Sequence, residues 1–272
     1  MIAMTTRFHL IGNVAVLSLP PELEDHKEEI AGALISRNKS IRTVLNKTSK
    51  LKGERRVASF EVLTGGETVT LHKEYGFTYR LDVGKVFFNS RMGYERQRIA
   101  ALVKAGELVL VPFCGVGPFA VPMAARGARV VALEKSREAC RWLEENARRN
   151  GVKDNLMMVN ADAFKIPEML KPLFDRAIIP TPYGMDGILP VISEVVRKGG
   201  RVHFYTFKKR EQIEGLKEEY RRLGLDVELC RRCGNVAPGV CRWVFDMVKA
   251  DGSEYSRSCF REQMRAQTGL LF

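Results

Sequence analysis

The chain has 272 residues, is 45% hydrophobic, and carries 44 Lys and Arg against 32 Asp and Glu, a net charge of +12. That length accommodates one large domain, or one of about 170 residues with a smaller companion. No apolar run approaches the roughly 18 residues of a membrane-spanning helix, and Met1-Ile-Ala-Met-Thr-Thr-Arg7 lacks a secretory signal pattern, so the expectation is a soluble, cytoplasmic protein with no membrane partner.

Residues 8 to about 80 read as strands with one early helix. Asn13 to Leu19 is a strand closed by Pro20-Pro21. Glu22 to Arg37, with apolar residues at Leu23, Ile30, Leu34 and Ile35, has the spacing of an amphipathic helix. Ser59 to Leu63 and Val69 to Glu74 flank Gly65-Gly66, a hairpin signal. Phe77 to Val83 offers another strand. Residues 1–83 thus form a small α+β domain.

From about residue 84 the rhythm changes. Helices are expected at Arg91–Lys104, Pro118–Ala125, Ser136–Asn150, Gly187–Val196 and Lys208–Leu223. Strands alternate with them at Leu108–Val111, Val130–Leu133, Leu156–Val159, Phe174–Ile179 and Arg201–Thr206, and Val227–Cys230 and Val240–Val248 complete the sheet. Such alternation predicts an α/β fold over residues 84–250, Rossmann-like, with a doubly wound and mostly parallel sheet that binds ligands at the carboxyl ends of its strands. Residues 251–272 are a charged tail with no assigned role.

Four consecutive strand ends carry the chemistry. Val109 to Phe119 contains Phe113-Cys-Gly115-Val-Gly117, and Glu134 follows Gly115 by 19 positions. Glycines after a first strand let backbone N–H groups approach a nucleotide, and a carboxylate after the second strand takes ribose hydroxyls. Ala120 replaces the third glycine of the dinucleotide fingerprint, which favours S-adenosyl-L-methionine over a cofactor with a pyrophosphate. Asp162, beside Ala163, would face the adenine amino group. Pro180-Thr-Pro182-Tyr183 ends the fourth strand. Its proline-aromatic pair fits a ring stacked on a flipped planar substrate, and an ordinary turn explains it equally.

Six cysteines are scattered along the chain. Cys230-x-x-Cys233 has no second pair or His at ligand spacing, so no metal is expected and the thiols read as reduced. Basic residues cluster at Lys47–Arg56, Arg91–Arg98, Arg197–Arg210 and Arg221–Arg232. Each cluster alone is a solvated face; four together point to a polyanionic partner.

The chain resembles the archaeal family that contains tRNA guanine-37 N1-methyltransferase and the wybutosine-synthesis aminocarboxypropyl transferase. Four stretches carry the resemblance: Arg42 to Ser49 with Gly53-Glu-Arg-Arg56, His72 to Phe77 through Leu81-Asp-Val83, Phe88 to Arg96, and Phe113 to Phe119. It runs from about residue 8 to 249, and the first three stretches are nearer the methyltransferase branch. The resemblance implies a class I methyltransferase fold behind an accessory domain, acting as a monomer on the anticodon stem-loop of tRNA. It implies a cofactor site of Asn89, Arg96, Phe113, Gly115, Gly117, Glu134, Asp162 and Ala163. Arg91 matches an arginine suited to stabilising charge on guanine O6 as the N1 proton leaves, or to anchoring a phosphate; Pro182 and Tyr183 complete the catalytic set. Val111 stands where the family usually has an acidic residue, and Pro180-Thr181-Pro182 where the methyltransferase branch has Asn-Leu-Pro. Transfer of a 3-amino-3-carboxypropyl group, a protein or small-molecule acceptor, and an RNA-binding relic are the alternatives.

Overall fold

The computed structural model describes residues 8–48, 58–166 and 173–250. The chain forms two compact units, Met1–Glu107 with Val111–Ala163, and Leu108–Leu110 with Phe164–Phe272.

In the first unit, β1 (Phe8–Ile11) and β2 (Val14–Leu17) are antiparallel. A short 3-10 turn (Pro21–His26) and α1 (Lys27–Arg37) then cross over to β3 (Thr43–Lys47), which lies parallel to β2. β4 (Phe60–Thr64) pairs antiparallel with β3. Ile30 and Ala31 of α1 pack onto Ala15, Leu17, Ile41 and Val44, all buried. The expected strand over 13–19 is therefore half of a hairpin, and β3 has no counterpart among the strands read from sequence.

The hairpin expected at Gly65-Gly66 does not form. β4 is already paired with β3, and β5 (Val69–Glu74) pairs antiparallel with β6 (Phe77–Asp82). Their loop is Tyr75-Gly76, both at positive φ (47° and 86°), the two-residue geometry that matches strand twist. Gly65 instead allows a close crossing: at φ +78° a Cβ there would lie 2.3 Å from the Arg42 carbonyl oxygen.

The unit continues with a 3-10 turn (Ser90–Met92), α2 (Gly93–Leu102), α3 (Ala120–Ala125), β8 (Arg129–Glu134), α4 (Arg137–Arg149) and β9 (Leu156–Asn160). Strand β7 (Leu108–Pro112) is shared between the two units. β8 and β9 are parallel, with Glu134 opposite Asn160. α4 starts at the expected cap, where Ser136 Oγ accepts from the Ala139 N–H at 3.3 Å, and Gly151 follows it at φ +67°. Two asparagines on one face of α4 bond the edge of β6. Asn146 Oδ1 accepts from Arg80 N–H (2.7 Å) and its Nδ2 donates to Arg80 O (3.1 Å). Asn150 does the same with Thr78 at 2.9 and 2.8 Å.

The second unit contains β10 (Phe174–Ile179), α5 (Ile188–Val195), β11 (Val196–Lys208), α6 (Ile213–Arg222), β12 (Leu225–Ala237) and β13 (Val240–Lys249). β10 is parallel to β7 and β11, whereas β13 is antiparallel to both β11 and β12. In hydrogen-bonded order the strands run β12-β13-β11-β10-β7-β8-β9, the mostly parallel sheet expected. Buried Arg176 donates to His203 Nε2 (2.7 Å), and His203 Nδ1 lies 2.7 Å from Asp246 Oδ1. A guanidinium has no acceptor, so Nε2 is unprotonated and the ring proton sits on Nδ1, facing Asp246.

Candidate active site

The turn after β7 is forced into unusual backbone. Phe113 has φ +54°, Gly115 +55° and Gly117 +95°. A non-glycine residue in the left-handed region stores strain, and such residues collect at functional sites. The two glycines serve different ends. At Gly115 a Cβ would meet nothing within 4 Å, leaving open space; at Gly117 it would meet Leu143 Cδ1 of α4 at 2.4 Å. Gly115 leaves the backbone bare on an open side, and Gly117 lets the turn pack against a helix.

Glu134, at the end of β8, braces this turn. One carboxylate oxygen accepts from the Gly115 N–H at 2.9 Å, and the other from the Ser136 N–H at 2.8 Å. Each oxygen keeps lone-pair capacity for a further donor, as a pair of ribose hydroxyls requires. The Cys114 N–H donates to Leu133 O (3.0 Å), and Asn146 Nδ2 also donates to Val116 O (3.0 Å). At the end of β9, Asn160 Nδ2 donates to the carbonyls of Glu134 (2.8 Å) and Lys135 (3.0 Å). Asp162 Oδ2 is 3.2 Å from Lys135 Nζ, and Ala163 is buried at the start of a short 3-10 turn. A bare backbone at Gly115, a carboxylate with lone pairs to spare and a second carboxylate after the next strand fit an adenosyl group.

Sequence reasoning passed over Ser136 as more than a cap, and passed over Asn146 and Asn160. Asn160 carried a signal, since an amide directly after an apolar strand suits a carbonyl-tethering role.

A second cluster in the same unit carries Asn89, Arg91 and Arg96. Arg96 is buried; its Nε donates to Glu74 Oε1 at 2.7 Å, Nη2 donates to Glu74 Oε2, and Nη1 and Nη2 both reach the Asn89 carbonyl oxygen at 3.1 Å. Its guanidinium carbon also lies 5.1 Å from the Phe88 ring centroid. Burial pushes the Glu74 carboxyl up, but the bonds from Arg96 and His72 outweigh it and hold Glu74 below the ordinary carboxylate range. Asn89 Oδ1 accepts from the Arg91 N–H at 3.0 Å, and the Arg91 side chain is exposed. The guanidinium N–H donors lie in a fixed plane, and four hydrogen bonds from Arg96 go to Glu74 and Asn89.

In the second unit, Thr181 is buried and bonds Ile179 O through both its N–H (2.8 Å) and its hydroxyl (3.2 Å). Pro182 O accepts from the Met185 N–H at 3.1 Å, and Gly184 at φ +77° completes the turn. Tyr183 is 63% exposed, its ring 5.5 Å from Phe207, and the Arg242 guanidinium lies 4.9 Å from the Phe207 centroid. Pro182 and Tyr183 thus stand in one unit and the glycine turn, Glu134, Asp162 and Arg91 in the other.

The thiols of Cys114 and Cys140 are not poised to react. Burial, with Glu134 and Cys140 nearby, drives the Cys114 thiol well up, and burial next to Glu134 lifts Cys140 to about 11. Among the described residues no group of three or more His, Cys, Asp or Glu is arranged to hold a metal ion. No helix among them is long and apolar enough to cross a membrane. Of the basic clusters, residues 49–57 lie outside the described residues, as do Cys259 and the tail. Elsewhere many bases are paired, as Arg197 with Asp175 (2.7 Å), Lys208 with Asp186 (2.7 Å) and Arg221 with Glu218.

Residues 70–228 match the TRM5/TYW2 methyltransferase domain. The chain belongs to this family. Residues 2–68 match the TYW2 N-terminal domain. The chain is 32% identical over 243 residues to the tRNA (guanine(37)-N(1))-methyltransferase Trm5b of Pyrococcus abyssi, covering 86% of this chain and 72% of that protein. It is 33% identical over 249 residues to a tRNA(Phe) (4-demethylwyosine(37)-C(7)) aminocarboxypropyltransferase of Pyrococcus horikoshii, covering 89% and 88%. The crystal structure of P. abyssi Trm5b superposes with a TM-score of 0.82 at 30% identity, over 90% of this chain and 75% of that one. The fold is that of the class I methyltransferases of the TRM5/TYW2 family, and the chain is a transferase.

Proposed function

We propose that the chain transfers a methyl group from S-adenosyl-L-methionine to N1 of guanine-37 in the anticodon loop of tRNA, acting as a monomer in the cytoplasm. The observation that carries this reading is Glu134, whose carboxylate spans the Gly115 and Ser136 N–H groups beside a left-handed Gly115 that faces open space. When bound, the cofactor supplies an electrophilic carbon on its sulfonium. Glu134 would take the ribose hydroxyls, Asp162 and Ala163 the adenine side, and the Phe113–Gly117 backbone the amino-acid moiety. Arg96 would act on this site by holding Asn89, since its Nε, Nη1 and Nη2 all donate to Glu74 or Asn89.

The chemistry asked of the remaining residues is charge stabilisation and orientation. As N1 takes the methyl, S-adenosylhomocysteine would leave and the guanine N1 proton would pass to solvent, while the exposed Arg91 guanidinium would stabilise negative charge on O6. Tyr183 would stack on the target base, and Pro182 would hold that loop in shape. Net charge of +12 suits a polyanionic substrate. Residues 1–83 would act as the accessory domain and 84–250 as the catalytic one.

A second reading has its own support. The match of residues 2–68 to the TYW2 N-terminal domain, with Pro180 in place of asparagine, favours transfer of the 3-amino-3-carboxypropyl group to a carbon of the modified base. One experiment separates the two. Unmodified tRNA transcript is incubated with cofactor labelled in the methyl or the carboxyl carbon, and nucleosides are analysed by mass. Methyl label in N1-methylguanosine at position 37 is expected. Carboxyl label, tested also on tRNA carrying 4-demethylwyosine, would establish the second reading. No label from either, with cofactor bound, would overturn tRNA as the acceptor.

A further inference from the structure

The Asn89–Arg91 segment is held from below by a chain of contacts that starts in the β1–β2 turn. The Gly12 N–H donates to His72 Nδ1 at 3.2 Å, so the ring's Nε2 faces Glu74 Oε2, 3.7 Å away. Glu74 takes both forks of the Arg96 guanidinium, and Arg96 gives Nη1 and Nη2 to the Asn89 carbonyl. Asn89 in turn caps the Arg91 N–H through Oδ1. The rings of His72 and Tyr79 lie 4.9 and 5.8 Å from Phe88, which precedes Asn89, so the segment is also wedged sideways. Gly93 permits the approach: a Cβ there would lie 2.9 Å from Glu74 Oε2.

We infer that Glu74 is a positioning residue: through Arg96 it sets the backbone of Asn89 and so the direction in which Arg91 leaves the chain. A buried guanidinium has no free orientation of its own. It adopts the plane of the carboxylate that binds it twice, because the two parallel bonds fix geometry as well as charge. With Glu74 removed, Arg96 keeps its charge but loses the partner that aims its other donors at Asn89. The consequence falls on a segment that touches neither Glu74 nor its strand in sequence. His72 extends the same control to the β1–β2 turn. This inference rests on the roles proposed above for Asn89 and Arg91, but its structural half can be read without them.

Two measurements test it. Glu74→Gln keeps the side-chain shape and one acceptor oxygen, and Arg96→Lys keeps the charge while removing the fork. In both, hydrogen–deuterium exchange in the peptide over residues 87–94 should rise by roughly tenfold while α4 and β13 stay protected. Unchanged exchange there would overturn the inference, as would a rise spread over the whole chain. Turnover is then measured in a double-mutant cycle with Arg91→Ala. Glu74→Gln should lower turnover by roughly tenfold in the parent, as misplacement of a catalytic group does, yet by less than about twofold in the Arg91→Ala background. Losses that multiply would mean Glu74 supports the fold only, and would overturn the positioning role. Should Arg91→Ala keep full turnover, the reading of Arg91 fails, and the exchange result still decides whether Glu74 holds the segment.

Discussion

Gly93, the first residue of α2, stands so close to Glu74 that a Cβ would meet its Oε2 at 2.9 Å and its Cδ at 3.0 Å. The carboxylate cannot swing away, because Arg96 holds both of its oxygens.

Gly93→Ala therefore reverses an ordinary sign. In a helix, alanine is favoured over glycine by up to about 1 kcal/mol. Overpacking a fixed site costs about 1–3 kcal/mol. The variant should melt below the parent by several degrees, as thermal unfolding followed by circular dichroism would show; an unchanged or higher Tm would mean that Glu74 yields freely.

Glu134→Gln leaves one carbonyl oxygen to accept from Gly115 or Ser136 and turns an amide toward the other N–H group. Hydrogen bonds to a charged acceptor contribute about 1.5–3 kcal/mol. Calorimetric titration with S-adenosylhomocysteine should show an affinity at least about tenfold weaker, with turnover at saturating cofactor much less affected. Equal affinity in the two proteins would remove Glu134 from the cofactor site.

The glycines of the turn should respond differently to alanine. Gly117→Ala drives a methyl onto Leu143 Cδ1 at 2.4 Å and should destabilise the fold by about 2 kcal/mol or more. Gly115→Ala has room around the methyl and bears only the left-handed backbone cost, about 1–2 kcal/mol. It should therefore lose proportionally more cofactor affinity than stability. Equal stability losses in denaturant titrations would dissolve the distinction.

His9 offers a pH readout of the Arg91 side chain. Burial, then the positive charges of Arg91 and Lys47, hold its pKa below 6.5. A folded-state value below the unfolded one contributes stability that is present above pH 6.5 and lost as the pH falls through the folded value. Arg91→Ala should raise the His9 pKa without restoring it fully, because burial, the larger cause, remains. Proton NMR of the His9 ring across pH 4–8 would show this, and a pKa identical to the parent's would place the Arg91 charge elsewhere.

Much of the fold was legible because its period changes near residue 84: strands and helices alternate in the expected order, although β11, expected over 201–206, begins at Val196 and β12, expected over 227–230, runs to Ala237. The Ser136 cap was legible too. What was not legible were pairings. β4 and β5 look like a hairpin around Gly65-Gly66, but partner choice depends on β3, whose sequence, Thr-Val-Leu-Asn-Lys, carries no alternation of apolar and polar residues. The turn that does form, Tyr75-Gly76, hides a positive φ under a tyrosine. The burial of Arg96 was not readable, because nothing in its neighbours announces that Glu74, 22 positions away, takes its guanidinium.

The amides of Asn146 and Asn150 sit one helical turn apart, about 6 Å along α4, and they meet Arg80 and Thr78, two residues apart and about 6.6 Å along β6. The two repeats are nearly commensurate, so helix and strand mesh like teeth of matched pitch. The outward rim of a two-stranded ribbon, otherwise open to recruitment by a foreign strand, is thereby occupied by side chains that cannot propagate a sheet. A single residue inserted between Asn146 and Asn150 would carry one amide about 100° around the helix, unlatching the rim and exposing it to intermolecular pairing.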